Sequence, residues 1–189
     1  DAAAKHPEQA AVGFLYELDK SLWQKYLDER TFQVTEFLID NKLNTPKTTS
    51  MGRLFDTVAA LCGFKCKMTF EGQAAMWLES RARSVSHTVS TSYEFPFDGQ
   101  TWDYRPLLES ILLDKRNGVE PDIIAYKFHE ALARAVTDVA NILSKTYRFN
   151  TVALSGGVWQ NKLLHRLTLQ KLRLAGFEVW WNQRVPPGD

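Results

Sequence analysis

Apolar residues recur at helical spacing through the first half of the chain. The pattern predicts four helices, over about residues 7–27, 32–43, 50–63 and 71–83. Ser50 is predicted to cap the third helix at its start, and Gly63 is predicted to end it. Residues 1–92 are therefore expected to form a mainly helical part.

The hydrophobic pattern changes over residues 93–149. Aromatic and polar residues alternate in residues 93–104 around Asp98 and Gly99, which predicts a hairpin, and Pro96 indicates an edge strand. Pro106 is expected to open a helix. The longest helix is predicted over residues 121–147, with Pro121 at its first position. This part is expected to hold a hairpin and long helices.

The last part, residues 150–189, combines strand and helix patterns. Residues 151–154 and 177–181 predict two short strands, and residues 158–175 predict a helix between them, which Gly176 ends. Such a strand–helix–strand unit usually places its two strands in parallel. The chain is therefore expected to have an α/β fold.

Composition narrows the class of partners. The 189 residues are 44% hydrophobic and 24% charged, with a net charge of +1, which gives no reason to expect nucleic acid or an anionic membrane as a partner. No segment approaches the roughly 18 apolar residues of a membrane-spanning helix. The first residues lack the pattern of a signal peptide, so we expect a cytoplasmic protein. Cys62 and Cys66 are interpreted as free thiols rather than a disulfide or half of a metal site.

The turn after the first predicted strand is the sharpest local signal. Ser155, Gly156 and Gly157 connect a strand to a helix, where free backbone amides can bind phosphate or ribose oxygens. The two glycines let a ligand approach the backbone. Asn161 is expected one turn into the helix, facing the same ligand. A Gly-Gly turn can equally be purely structural.

Three other positions have two interpretations each. Arg53 and Asp56 share a helix face, either as an exposed ion pair or with Asp56 accepting hydrogen bonds from ribose hydroxyls. Gly72 either lets a ligand pass the start of a helix or forms a simple turn. Asp189 follows a predicted strand, a common ligand position in α/β sheets, but it also fits a solvated loop.

Taken together, these segments closely resemble one protein family. The segments are residues 50–61 (SMGRLFDTVAAL), 70–75 (FEGQAA), 153–161 (ALSGGVWQN) and 185–189 (VPPGD). Their sequence, order and spacing resemble those of the HypF family of hydrogenase-maturation carbamoyltransferases. The resemblance covers nearly the whole chain. It identifies residues 1–189 as a fragment of the C-terminal, TsaD-like carbamoyltransferase domain, and we expect the natural protein to continue beyond Asp189.

The resemblance implies a fold and a reaction. The fold would be a lobe of the actin/sugar-kinase/heat-shock-protein (ASKHA) type, with a large helical insertion and nucleotide held between two lobes. The full protein would use carbamoyl phosphate and ATP to form carbamoyl-adenylate. It would then transfer the carbamoyl group to the C-terminal cysteine of the partner protein HypE, as the precursor of the hydrogenase cyanide ligand.

The resemblance also implies roles for particular residues. Asp56, Gly72 and Asn161 would contact the nucleotide or adenylate, and the Ser155–Gly157 turn would meet it with backbone amides. Asp189 would correspond to a metal-binding aspartate in a site for a divalent ion, zinc or iron.

The family's metal site also uses two histidines four residues apart. Such a pair is absent from the four histidines of this sequence, His6, His87, His129 and His165. We therefore expect an incomplete metal site in this fragment. His129 by itself is interpreted as a packed or surface histidine.

Two alternatives stay open at this point. One is a related enzyme with another acceptor, either an O-carbamoyltransferase or a tRNA threonylcarbamoyl transferase. The other is a non-catalytic interaction fragment that has kept the fold.

Overall fold

The first half of the chain is helical, as predicted, but its helices are shorter and start elsewhere. The computed structural model describes residues 5–85 and 92–182. The first five helices are α1 (Pro7–Leu15), α2 (Lys20–Trp23), α3 (Glu29–Asp40), α4 (Met51–Leu61) and α5 (Gln73–Arg83).

The single helix predicted over residues 7–27 is wrong. The chain turns after α1, and the Asp19 carboxylate accepts a hydrogen bond of 2.9 Å from the Ser21 amide, which starts α2. A short 3-10 turn, Gln24–Tyr26, follows α2. Asp28 caps α3 in the same way through the Thr31 amide at 2.8 Å, so α3 begins before the predicted residue 32.

The predicted end of α4 is confirmed. The Phe64 amide bonds to the Ala59 carbonyl at 2.9 Å and the Gly63 amide to the Ala60 carbonyl at 3.0 Å, the paired bonds of a Schellman motif. Gly63 has a φ of 106°, which favours glycine at this position. Ser50 occupies the cap position, although its side chain makes no capping hydrogen bond.

The predicted hairpin is reduced to a tight turn. Phe97 and Trp102 form a single antiparallel bridge, and the Asp103 amide bonds to the Pro96 carbonyl at 2.8 Å. The next helix, α6 (Tyr104–Arg116), begins two residues before Pro106 because the Asp103 side chain caps the Arg105 amide.

The longest helix of the described residues organises the core. This helix, α7 (Pro121–Tyr147), has the predicted ends, and it packs against α5, α6 and α8 (Lys162–Leu174). Its Phe128 ring meets Phe55 of α4 edge-on at 5.0 Å. No helix in residues 5–85 or 92–182, α7 included, is long and apolar enough to cross a membrane.

The last part forms a strand–helix–strand unit. Strands β1 (Thr151–Leu154) and β2 (Glu178–Trp181) pair in parallel, from Thr151 opposite Glu178 to Leu154 opposite Trp181, which confirms the predicted pairing. The predicted helix 158–175 starts late, because Gly157–Gln160 is a 3-10 turn that precedes α8. The unit has a second, smaller core that is separate from the main helical one and comprises Ala140, Leu154, Leu172, Phe177 and Val179.

Candidate functional site

An exposed backbone turn follows β1. Ser155, Gly156 and Gly157 are all exposed, and Gly156 has a φ of 102°, a conformation that L side chains rarely adopt. Apart from its two chain neighbours, a Cβ atom built on Gly157 would meet no atom of the described residues within 4 Å. A ligand can therefore approach this backbone closely.

The turn also presents hydrogen-bond donors. The Trp159 amide bonds to the Gly156 carbonyl at 3.1 Å, and the Asn161 amide bonds to the Val158 carbonyl at 3.2 Å. The amides of Gly157 and Val158 open the 3-10 turn, and the first donors of a helical segment have no acceptor inside it. Among the described residues neither amide has an acceptor, so both can donate to an anionic or carbonyl oxygen.

Asn161 lies at the junction of this turn and α8. It was predicted one turn inside the helix, but it is the residue that caps α8, because the helix starts at Lys162. The Asn161 Oδ1 atom accepts a hydrogen bond from the Leu164 amide at 2.9 Å. The Asn161 Nδ2 atom lies 2.9 Å from Nε2 of His129.

His129 is a site residue that the sequence did not reveal. It is fully buried on α7, and its Nδ1 atom lies 2.7 Å from the Ala125 carbonyl oxygen. Burial lowers the pKa of His129 to about 4, although the bond to Ala125 acts in the opposite direction. The side chain is therefore neutral near pH 7. The sequence left open whether His129 is packed or on the surface, and it did not indicate a contact with Asn161.

The start of α8 has a second cap. The Glu79 Oε1 atom on α5 accepts a hydrogen bond of 3.2 Å from the Leu163 amide. Side chains of the protein thus occupy the amides of both Leu163 and Leu164. A phosphate group would therefore meet the donors of the Gly157 turn rather than the amides of Leu163 and Leu164 at the start of α8, where the sequence pattern places it.

Asp56 is buried on α4, only 1% exposed. Arg53 Nη2 lies 2.9 Å from Asp56 Oδ2, but among the described residues no donor is aligned for a hydrogen bond to that oxygen. Burial raises the pKa of Asp56 to about 6, and the charge of Arg53 opposes the shift. The exposed ion pair is thus excluded. The contact with ribose stays a prediction, and the carboxylate is closed to solvent in this structure.

The structure links some predicted site residues and separates others. Phe55, next to Asp56, packs edge-on against His129 at 5.5 Å, so α4 reaches Asn161 through the imidazole ring. Gly72 lies at the cap position of α5 with a φ of 78°. It is seven residues, or about 10 Å along the helix axis, from Glu79, the α5 residue that contacts α8.

The predicted metal ligand, Asp189, lies outside the described residues. Within the described ranges, 5–85 and 92–182, no cluster of three or more His, Cys, Asp or Glu side chains could hold a metal ion. These residues do not by themselves supply a metal site. Cys62 and Cys66 are both free, as interpreted from the sequence.

Comparison with known proteins identifies the family. The family described as "Carbamoyltransferase, Kae1-like Domain, second subdomain" matches residues 1–189. Carbamoyltransferase HypF of Synechocystis sp. is 36% identical over 148 residues, which cover 76% of this chain and 18% of that protein. The probable carbamoyltransferase HypF of Methanocaldococcus jannaschii is 27% identical over 195 residues, covering 100% of this chain and 25% of that protein.

Solved structures agree with the sequence relatives. A crystal structure of full-length HypF in the phosphate- and nucleotide-bound form has a TM-score of 0.89 and 36% identity, covering 98% of this chain and 25% of that chain. The structure of T. kodakarensis HypF has a TM-score of 0.84 and 29% identity. The chain spans about a fifth to a quarter of the length of the first two sequence relatives. Residues 1–189 thus share both sequence and a helix-rich α/β fold with these proteins, and the chain belongs to the HypF carbamoyltransferase family.

Proposed function

We propose that this chain is the part of a carbamoyltransferase that binds the adenylate portion of carbamoyl-adenylate. The whole enzyme would make this intermediate from carbamoyl phosphate and ATP, and it would transfer the carbamoyl group to the C-terminal cysteine of HypE. The observation that carries the proposal is the exposed Ser155–Gly157 turn, with two donor amides beside the fixed Asn161 side chain.

The donors fit the charge of the proposed ligand. An adenylate phosphate carries acceptor oxygens, and the amides of Gly157 and Val158 are the kind of donors that bind such oxygens. Lys162 is the first residue of α8, directly after Asn161, and it adds a positive charge near the turn. A related HypF structure was solved in a phosphate- and nucleotide-bound form, which supports a nucleotide as ligand.

Fixed donors also suit the proposed transfer step. The acceptor thiolate would form a sulfur–carbon bond at the carbamoyl carbon, while the bond between that carbon and the phosphate oxygen breaks. AMP would leave with the bonding electrons, so negative charge would grow on its phosphate. Preorganised amides that meet this charge would stabilise the transition state.

The wider architecture is part of the same proposal. The β1–α8–β2 unit would form one wall of an ASKHA-type cleft, and the opposite wall would come from another part of the enzyme.

A matched pair of glycine substitutions tests the nucleotide site. Apart from the adjoining residues and, for Gly13 of α1, its own helix backbone, no described atom lies within 4 Å of a Cβ added to Gly157 or Gly13, and neither glycine has a positive φ. Gly157→Ala and Gly13→Ala therefore both keep the fold, but only Gly157→Ala adds a methyl group where the ligand would approach. ADP at about 100 times its dissociation constant should raise the wild-type Tm by about 5–10 °C.

The two variants should respond differently to ADP. We expect Gly13→Ala to keep this rise and Gly157→Ala to weaken ADP binding by about tenfold or more. Equal binding by both variants would refute the proposed contact. HypE binding without ADP binding by the wild-type chain would favour the non-catalytic interaction fragment. Membership of the HypF family favours the hydrogenase-maturation acceptor over the O-carbamoyl and tRNA alternatives.

A further inference from the structure

The hydrogen bonds around His129 fix the position of its proton. The Ala125 carbonyl oxygen can only accept, and it lies 2.7 Å from Nδ1, so Nδ1 must carry the hydrogen. The ring is fully buried and neutral near pH 7. A neutral imidazole has one N–H, and Nε2 is therefore an acceptor.

The acceptor on His129 in turn fixes the orientation of Asn161. The Asn161 atom 2.9 Å from Nε2 must be a donor, which is the amide nitrogen. The carboxamide oxygen then faces the Leu164 amide, 2.9 Å away, which needs an acceptor. A chain of hydrogen bonds therefore runs from the Ala125 carbonyl, through the His129 ring and the Asn161 carboxamide, to the Leu164 amide in the first turn of α8.

We propose that His129 is a positioning residue of the candidate site: it fixes which end of the Asn161 carboxamide faces α8 and thereby holds the junction between the Gly157 turn and α8. The orientation itself depends only on the protein. A ligand would use this orientation by accepting a hydrogen bond from the second proton of Asn161 Nδ2, and that part of the inference rests on the proposed nucleotide site.

The opposite orientation of Asn161 would lose both bonds. A flipped carboxamide would set its oxygen against the lone pair of Nε2 and its nitrogen against the Leu164 N–H. His129 cannot turn to accommodate it, because Phe55 and Phe128 pack edge-on against the ring at 5.5 and 5.8 Å. One buried ring thus selects one of two carboxamide states.

Two substitutions separate this role from simple packing. The His129→Gln side chain carries a hydrogen-bonding group about as far from the backbone as Nε2, the atom that contacts Asn161. The His129→Asn side chain carries one only about as far from the backbone as Nδ1. We expect His129→Gln to bind ADP within about twofold of the wild type, and His129→Asn to bind it about tenfold more weakly. A purely structural role would weaken ADP binding equally in both variants and would overturn the proposal.

Nitrogen NMR of the ring tests the orientation without a ligand. In the wild-type chain near pH 7 we expect a protonated Nδ1 and an unprotonated Nε2. A proton on Nε2 would overturn the proposal. Asn161→Asp keeps an acceptor for the Leu164 amide but removes the donor to His129, so it should shift the Nε2 signal; an unchanged signal would also overturn it. If the wild-type chain binds no ADP, the proposed nucleotide site fails, and these NMR results still decide the role of His129.

Discussion

Asp56 and His129 should give opposite pH dependences of stability that nearly cancel. Burial raises the pKa of Asp56 from 3.8 to about 6, so the folded state holds this proton more tightly than the unfolded chain. Asp56 therefore destabilises the fold progressively as the pH rises from about 4 to about 6. Its full effect corresponds to about 3 kcal/mol, since each pKa unit is worth about 1.4 kcal/mol.

His129 acts in the other direction. Burial lowers its pKa from 6.5 to about 4, so the unfolded chain binds this proton more tightly. The stability that depends on neutral His129 is complete above about pH 6.5 and is lost as the pH falls through about 4, again by about 3 kcal/mol. The wild-type chain should therefore show little net pH dependence from these two groups.

Removing one of these two side chains should expose the pH dependence of stability that the other one causes. As the pH falls from about 7.5 to about 4.5, we expect Asp56→Asn to lose about 2–3 kcal/mol of unfolding free energy relative to the wild type. His129→Gln should gain about the same amount of unfolding free energy, relative to the wild type, as the pH falls over that range. Exposed carboxylates titrate alike in all three proteins, so differences between variants and wild type isolate the two groups.

Urea unfolding followed by tryptophan fluorescence measures these differences. The free energy of unfolding is obtained at several pH values from about 4.5 to 7.5 by linear extrapolation. Parallel curves for the wild type and Asp56→Asn would refute the buried, desolvated carboxylate. Parallel curves for the wild type and His129→Gln would refute the neutral, buried imidazole.

Three further predictions concern the rest of the described chain. Gly156→Ala should destabilise the fold by about 1 kcal/mol or more, measured by urea unfolding, because its φ of 102° is strained for alanine. Tyr93→Phe should cost about 1–2 kcal/mol by the same assay, because it removes the 2.8 Å hydrogen bond to Asp114 and leaves that acceptor with one donor fewer. A thiol reagent should modify exposed Cys66 in the native chain and reach Cys62 only after unfolding, because Cys62 is buried and burial raises its pKa to about 12.

Local sequence signals predicted the elements whose ends depend on local chemistry. Pro121 and the long apolar stripe gave both ends of α7, and Gly63 gave the end of α4. The aspartate caps at Asp19 and Asp28 are equally local signals, and they mark the starts of α2 and α3.

The candidate site was only partly predictable for a physical reason. The Gly156–Gly157 turn is contiguous in sequence, so its exposure and strand-to-helix position could be inferred. The bond between His129 and Asn161 joins residues 32 apart, and the cap from Glu79 to Leu163 joins residues 84 apart. Such contacts depend on how α5, α7 and α8 pack, which hydrophobic periodicity does not specify.

The smaller core around β1 and β2 has a consequence for hydrogen exchange. Few of the described buried side chains hold β1, β2 and the end of α8, whereas the main core comprises most of the buried residues of α1, α4, α5 and α7 and also the start of α8. Regions with fewer buried contacts open at lower free energy than the whole fold. Amides of β1, β2 and the end of α8 should therefore exchange with solvent sooner than those of α4. A ligand on the Gly157 turn would slow exchange selectively in the strand unit, since it would bind the part of the chain that opens first.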